Sequence, residues 1–158
     1  MPLIDGNFRL ERPAIEELHR IGPIVKVEIR IPQSLQRRLA ETGQPIPPPI
    51  FGIAVIDTGA SITGVEEKVL NNLKIQPIGR VNLHTPSGPT TTYLYPVGLT
   101  LNPGSSNPLN FDFGAMASVS LGQLPVPGGQ LIALLGRDFL SRCVFIYHGP
   151  QARFTLCL

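Results

Sequence analysis

The sequence predicts a single β-rich domain, and three observations lead to this prediction. The chain has 158 residues, a length that fits one domain and is short for two. Apolar residues make up 42% of it, alongside 16 glycines and 17 prolines, a combination typical of many strands joined by turns. Most apolar segments are short or alternate with a period of two, and only two or three have helical spacing.

The N-terminal part predicts a helix, a strand and an insertion. Residues 12–21 carry a proline near their start and acids in the first turn, and a glycine follows, so they predict a short helix. This helix belongs to an N-terminal extension, residues 1–22. Residues 23–31 alternate apolar and charged side chains, as a strand does. Residues 32–50 contain five prolines and predict an exposed insertion, with a helical turn near residues 35–39.

The rest of the chain predicts further strands and two helices. Residues 51–56 are apolar on both faces, which is typical of a central strand. Thr63 and Glu66 fit a capping box, which predicts a helix over residues 64–73. A second short helix is predicted at residues 137–141. The remaining segments with a strand pattern are 80–85, 91–101, 109–121, 131–135, 142–148 and 152–157, with a turn at Ser87, Gly88 and Pro89.

Composition argues against several functional classes. The net charge is only +2 and the basic residues are not clustered, which argues against binding of nucleic acid. Cys143 and Cys157 are too few for a disulfide scaffold, and no Cys/His cluster has zinc spacing, so we expect neither a metal nor a cofactor. The sequence contains no apolar run of about 18 residues and no secretory signal pattern, so we expect a cytoplasmic protein that does not enter a membrane.

One acidic residue stands in an unusual position. Asp57 follows four apolar residues, 53–56, and precedes Thr58 and Gly59. A carboxylate at the end of a buried strand is costly unless it is hydrogen-bonded or functional. A hydroxyl and a glycine, which lets backbone N–H groups approach, are suited to hold that carboxylate still. An aspartate that merely ends a strand is the alternative interpretation of these three residues.

A second motif further along the chain favours a functional role for this aspartate. Residues 131–135 are apolar, Gly136 and Arg137 follow, and an apolar helix start comes next. Together, Val55-Ile56-Asp57-Thr58-Gly59-Ala60 and Leu134-Leu135-Gly136-Arg137 resemble the signature of the retropepsin-like (retroviral-type) aspartic proteases. The resemblance covers residues 23–158. It includes a predicted hairpin at residues 84–95, where these proteases carry a flap over the substrate.

The resemblance implies a closed or partly open β-barrel of the acid-protease type, with one or two short helices, assembled as a two-fold homodimer. It implies that Asp57 is catalytic, that the Thr58 hydroxyl bonds across the dimer axis and that Gly59 contacts the substrate backbone. The other implied substrate-binding residues are Ala60, Ser61, His84, Thr85, Ser87, Gly88 and Pro89. The implied supporting residues beneath the loop are Leu134, Leu135, Gly136 and Arg137.

The chain departs from viral members of the family at one position. Those members commonly place an acid directly after Asp-Thr-Gly-Ala, where it pairs with the arginine of the second motif. Ser61 stands at this position here. The implied ion pair of Arg137 therefore needs another acid, and Asp138 is the nearest in sequence.

The chemistry of such a protease needs two carboxylates that share one proton. One acts as general base on a water, while the other polarises the scissile carbonyl group. The chain has a single Asp-Thr-Gly, since neither Asp112 nor Asp138 is followed by Thr/Ser-Gly. A second copy of the chain would supply the missing Asp57. We therefore expect an endopeptidase that is inactive as a monomer, needs no cofactor and cleaves extended peptides at mildly acidic pH.

The end of the chain bears on this assembly, and other functions stay open. Residues 152–158 end in apolar residues, which predicts an edge strand that pairs with the partner's terminal strand, with residues 142–148 of its own chain, or with both. A non-catalytic peptide-binding or regulatory module on the same fold is the alternative function, because a fold does not guarantee its chemistry. A purely structural β domain is a third possibility.

Overall fold

A computed structural model describes residues 3–7, 14–85, 88–122 and 124–157, and these are mostly β-structure with few short helices. The β-rich prediction is therefore confirmed. The strands are β1 (Leu3–Asn7), β2 (Ile24–Arg30), β3 (Ile50–Ile56), β4 (Gly64–Glu66), β5 (Gly79–Thr85), β6 (Gly88–Leu101), β7 (Leu109–Val119), β8 (Pro125–Val126), β9 (Gly129–Leu135), β10 (Val144–His148) and β11 (Arg153–Cys157). The helices are α1 (Ala14–Ile21), α2 (Gln33–Glu41), α3 (Glu67–Asn72) and α4 (Arg137–Leu140), with a 3-10 turn at Gly149–Gln151.

Six strands close into a barrel. Their order is β2, β3, β9, β4, β7 and β6, and β6 pairs back onto β2. The β3–β9 and β4–β7 pairs are parallel, and the others are antiparallel. Closure leaves no free edge among these six strands, so of the expected closed or partly open barrel the structure has the closed form.

The period-two pattern of β2 explains how the barrel fills its interior. Val25, Val27 and Ile29 are buried, whereas Lys26 between them is exposed. Alternate side chains point to opposite faces of a strand, so one face of β2 enters the core and the other meets solvent. Phe139 of α4 is fully buried in the same core, so the short helix is anchored by its aromatic side chain.

A polar contact links the closed barrel to α2. The Arg30 guanidinium lies 2.9 Å from the Asp112 carboxylate, across the strand that carries Gly98. A side chain at Gly98 would overlap Arg30, so glycine leaves room for this crossing. The other oxygen of Asp112 accepts a hydrogen bond from the Gln33 N–H at 3.1 Å, in the first turn of α2. The proline-rich insertion thus begins with a helix of nine residues, longer than the single turn predicted.

Strand β5 extends the sheet beyond the barrel as one arm of a hairpin. It pairs with β6 from Gly79 opposite Leu94 to Thr85 opposite Gly88. The hairpin therefore begins earlier than the predicted flap, residues 84–95. Gly88 and Pro89, predicted as part of the turn, are paired strand residues instead, because a two-residue connection is enough to reverse the chain in a hairpin. Ser87, in that connection, lies outside the described residues.

The predicted capping box at Thr63 is wrong. Gly64–Glu66 is the strand β4, and α3 begins only at Glu67, with no side-chain cap. The segment pairs with β7 and β9, so tertiary strand pairing overrides the local helix signal. The buried Glu66 carboxylate does not cap α3 but accepts a hydrogen bond from the Leu121 N–H at 2.6 Å.

The ends of the chain form a separate three-stranded sheet in the order β1, β11 and β10, which we call the terminal sheet. The predicted pairing with residues 142–148 is therefore present, as the β10–β11 hairpin. The prediction of an edge strand at the C-terminus is wrong, because β1 from the N-terminal extension occupies the second edge of β11. Both edges of β11 are paired within its own chain, so a partner strand has no access to them. Leu158 lies outside the described residues.

The two cysteines lie beside this sheet as free thiols. Cys157 of β11 is buried and pairs with Val144, while Cys143 is half-buried one residue before β10. Burial raises the pKa of the Cys143 thiol, so it stays protonated to higher pH than an exposed cysteine. Among the described residues, no helix is long and apolar enough to cross a membrane, and no cluster of His, Cys, Asp and Glu could hold a metal ion.

Candidate active site

Asp57 stands directly after β3, at the end of the barrel. Its N–H donates to the Leu135 carbonyl at 3.0 Å, so its backbone continues the pairing of β3 with β9. Its carboxylate is half-buried, and one oxygen, Oδ1, accepts hydrogen bonds from the N–H groups of Gly59 at 2.8 Å and Ala60 at 3.2 Å. Within the described part of the chain, the other oxygen accepts none. One oxygen therefore holds the carboxylate in place, and the other is available for chemistry.

The backbone at Gly136 lies beneath this loop, so close to it that only glycine, which has no side chain, fits at this position. A Cβ atom at Gly136 would lie 2.6 Å from the Ile62 carbonyl carbon and 3.0 Å from the Thr63 nitrogen. These are backbone atoms, which cannot rotate away as a long side chain could. Glycine at this position is therefore required by the packing of the end of β9 against residues 62–63.

Arg137 donates hydrogen bonds to the backbone carbonyl groups of the Asp57 loop. Its backbone N–H donates to the Ala60 carbonyl at 2.9 Å, and its Nη1 donates to the carbonyls of Thr58 at 3.0 Å and Gly59 at 3.1 Å. In the described ranges it forms no ion pair, with Asp138 or with another acid. The guanidinium carries several donors in one plane, and the turn of the loop presents two carbonyls to it.

Asp138 forms a second connection to the end of the loop. Its Oδ1 accepts hydrogen bonds from the Thr63 hydroxyl at 2.7 Å, the Thr63 N–H at 2.8 Å and the Phe139 N–H at 2.8 Å. The Thr63 side chain is fully buried, and its hydroxyl in turn accepts the Gly136 N–H at 3.1 Å. Sequence reasoning missed this network, which joins the start of β4 to the start of α4. Two features of the sequence could have indicated the network: the Thr63 hydroxyl between two apolar segments, and the Asp138 carboxylate at the start of a predicted helix.

A cleft of about 680 Å³ opens in front of the Asp57 carboxylate. Three parts of the chain line it: the loop after β3, the outer end of β5, and the ends of β7 and β9 with Arg137. Its lining residues are Asp57, Gly59, Ala60, Ser61, Ile62, Asn82, Leu83, His84, Thr85, Val119, Leu134 and Arg137. Strand β5 of the hairpin thus lines the cleft together with the loop after β3.

The cleft brings together most of the predicted site residues, but not all of them. Leu135 and Gly136 lie beneath the loop and are buried. The Thr58 side chain is exposed beside the cleft, and its hydroxyl forms no hydrogen bond within the described ranges. Gly88 and Pro89 are on β6, behind the hairpin strand that lines the cleft. Four lining residues were missed, because only folding places them here: Ile62, Asn82, Leu83 and Val119.

The charge in the cleft is sparse. Among the described lining residues, Asp57 is the only carboxylate, and Arg137, bound to the loop carbonyls, is the only permanent cation. His84, at the exposed end of β5, is the one other titratable group among them. The other described lining residues are neutral or apolar.

Neither a scan against models of protein families nor a search of the curated proteins finds a match for this chain. The interpretation of the cleft therefore depends on its geometry and on the two sequence motifs.

Replacing Gly136 by alanine should strongly destabilise the protein, because the new Cβ would overlap the backbone at Ile62. We expect a loss of about 3 kcal/mol in the free energy of unfolding, measured by urea denaturation. Gly114→Ala is the matched control, since its Cβ would have no neighbour within 4 Å and should change the stability by less than about 0.5 kcal/mol. Equal effects of the two changes would show that close packing at Gly136 is not the reason for the glycine.

Asp138→Ala should also destabilise, because it leaves the buried Thr63 hydroxyl and the Thr63 N–H without their acceptor. The Phe139 N–H, by contrast, keeps its bond to the Gly136 carbonyl. We expect a loss of about 3 kcal/mol. Asp138→Asn keeps an oxygen at Oδ1 and should lose about 1 kcal/mol. Urea denaturation of both variants checks this order, and an asparagine variant as unstable as the alanine variant would contradict it.

Proposed function

We propose that the protein is a retropepsin-like aspartic endopeptidase that works as a two-fold homodimer. The observation that carries the proposal is the Asp57 carboxylate, held by backbone N–H groups in a cleft that strand β5 of the β5–β6 hairpin lines. An aspartate that only ended a strand could accept the same two N–H groups in an Asx turn. It would need neither the cleft in front of its carboxylate nor Arg137 bound to the carbonyls of its loop. The motif resemblance and the closed barrel favour the same assignment.

The reaction needs a second carboxylate, and the cleft of one chain contains only one. In a two-fold dimer the Asp57 residues of both subunits would face each other across the axis. Two carboxylates at such short range share a proton, since they cannot both be ionised without strong repulsion. The ionised one removes a proton from a water that attacks the peptide carbonyl, and the protonated one donates a hydrogen bond to the carbonyl oxygen. The tetrahedral intermediate then breaks its C–N bond as the amine takes up a proton.

The exposed part of the loop suits contact with a partner. Thr58 and Gly59 are exposed, and their carbonyls are tied inward to Arg137. The Thr58 hydroxyl is thereby left at the surface, where it can bond to the loop of the second subunit. Arg137 acts in this scheme as a positioning residue that keeps the loop rigid on both sides of the axis.

The lining of the cleft defines the expected substrate. An extended peptide would lie between the loop and β5, with side chains alternating between opposite walls. Ile62, Leu83, Val119 and Leu134 offer apolar surface on these walls. We therefore propose that apolar or neutral residues flank the cleaved bond.

We propose that the subunits meet at the terminal sheet. Both edges of β11 are paired within its own chain, so the outer edge of β10, rather than β11, would contact the partner. Three large apolar side chains on β10 are about half exposed: Val144, Ile146 and Tyr147. An exposed apolar edge strand tends to pair with another strand. Because β10 begins shortly after α4, it lies close in the chain to Arg137, which holds the Asp57 loop.

Mixing wild-type protein with an Asp57→Asn variant tests the shared active site. Random exchange of subunits in an equal mixture makes about a quarter of the dimers fully wild-type. We expect cleavage of a peptide library at mildly acidic pH to fall to about a quarter of the rate of the same total concentration of wild-type protein. The variant alone should be inactive and should still dimerise.

A rate that falls only to half would mean that each chain works alone, and the dimeric mechanism would be wrong. Peptide binding without cleavage by the wild type, at every pH and protein concentration, would favour the non-catalytic peptide-binding module. Adding the variant in excess extends the test, because the rate should then follow the square of the wild-type fraction.

Ile146→Lys should weaken the dimer, since it places a charge on the exposed apolar face of β10. We expect the dissociation constant from analytical ultracentrifugation to rise at least about tenfold, with activity lost at low protein concentration and regained at high. Leu124→Lys is the matched control, because Leu124 is similarly exposed but lies outside the terminal sheet. Equal dimer affinities of the two variants would rule out β10 as the interface.

A further inference from the structure

A second concave surface lies away from the catalytic cleft and has α2 as one wall. None of the residues of α2 is fully buried. Leu35 and Leu39 are only half-buried, although they lie one turn apart on the same side of the helix. Both line a groove of about 850 Å³, together with Ser34 and Arg38. This apolar stripe packs against the core with part of its surface, and the part that stays exposed borders an open groove.

The other walls of the groove are also apolar. Residues 44–48 form one side and residues 72–76 the other. Ile46 and Ile78 both line it and keep 46% and 60% of their surfaces exposed. Two exposed large apolar side chains therefore lie in one depression, where a ligand could cover them together.

The groove is preformed rather than created on binding. Five prolines line it: Pro32, Pro45, Pro47, Pro48 and Pro96. The proline ring fixes the backbone angle φ, so walls built from proline lose little freedom when a ligand binds. A rigid apolar groove of this volume is in the size range of small-molecule sites.

The charged residues of the groove are all of one sign. Arg38 and Lys74 line it, and no acid is among the described lining residues. Neither cation forms an ion pair within the described part of the chain. Glu41, on the same helix as Arg38, is not part of the lining. The groove therefore combines an apolar interior with uncompensated positive charge.

We infer that this groove binds a small amphiphilic anion, with an apolar chain or ring against the leucine and isoleucine side chains and its acidic group near Arg38 and Lys74. The inference does not depend on the proposed peptidase activity, since the groove shares no lining residue with the cleft. An occupant would also reach the base of the hairpin. Ile78 donates its N–H to the Leu94 carbonyl at 2.8 Å, directly before β5 begins.

A titration of the full chain with decanoate, below its micelle concentration and followed by 15N NMR, tests the inference. We expect shifts at the amides of Leu35, Leu39, Ile75 and Ile78. Decyltrimethylammonium has the same chain length and the opposite charge, so it should bind at least about tenfold more weakly.

Two double variants of equal net charge complete the test. Arg38→Gln with Lys74→Gln should weaken decanoate binding about tenfold. Arg37→Gln with Lys68→Gln is the matched control, because both residues are exposed and neither lines the groove, and it should bind as the wild type does. Equal affinity for both surfactants, equal loss in both double variants, or decanoate shifts confined to other parts of the chain would each overturn the inference.

Discussion

The close contact between the loop after β3 and the end of β9 is the constraint on which the candidate site depends. The parallel strands β3 and β9 end side by side there, and Gly136, directly after β9, lets the backbone lie against residues 62–63 at the end of the loop that follows β3. Hydrogen bonds from Arg137 and to Asp138 then fix the loop at both of its ends. The Asp57 carboxylate belongs to the loop that rests on this second segment. Its position is therefore set by packing contacts well outside the motif Asp57-Thr58-Gly59.

The barrel explains why this contact can exist in a small domain. Closure of the barrel pairs both edges of each of its six strands. The strands therefore form a stable scaffold without help from the connecting loops, which are free to form a site. The loop after β3 and the hairpin of β5 and β6 both extend from the closed ring, and together they shape the cleft. A rigid scaffold with one half-buried acid at its surface is what the proposed dimeric enzyme would need from each subunit, because the second acid must approach from outside.

The three-stranded terminal sheet and the groove beside α2 are two places where several exposed apolar side chains lie together. On β10 the uncovered side chains lie along a free strand edge, whose unpaired backbone groups favour another strand. In the groove they lie between a helix and proline-rich walls, with two cations on the lining. The difference in backbone chemistry leads us to propose a protein partner for the first surface and a small amphiphile for the second.

Local patterns failed wherever a residue served a distant partner. The capping box at Thr63 is convincing in sequence, yet the hydroxyl bonds to Asp138, and the chain there pairs as a strand. Arg137 was expected to find an acid, but the carbonyls of the loop are what the fold brings within its reach. The C-terminal segment was expected at an edge, and the N-terminal extension covers it.

By itself, the sequence determined the β-rich class, most strand positions and the placement of Asp57 at the end of a strand. These features depend on the spacing of apolar residues and on the positions of glycines, which are visible within short segments of the chain. Which strands close the ring, where the hairpin begins, the bonds of Arg137 and the enclosure of β11 were decided only by tertiary structure. Each of these depends on which strands pair and in what register, a choice among contacts far apart in sequence that no local pattern encodes.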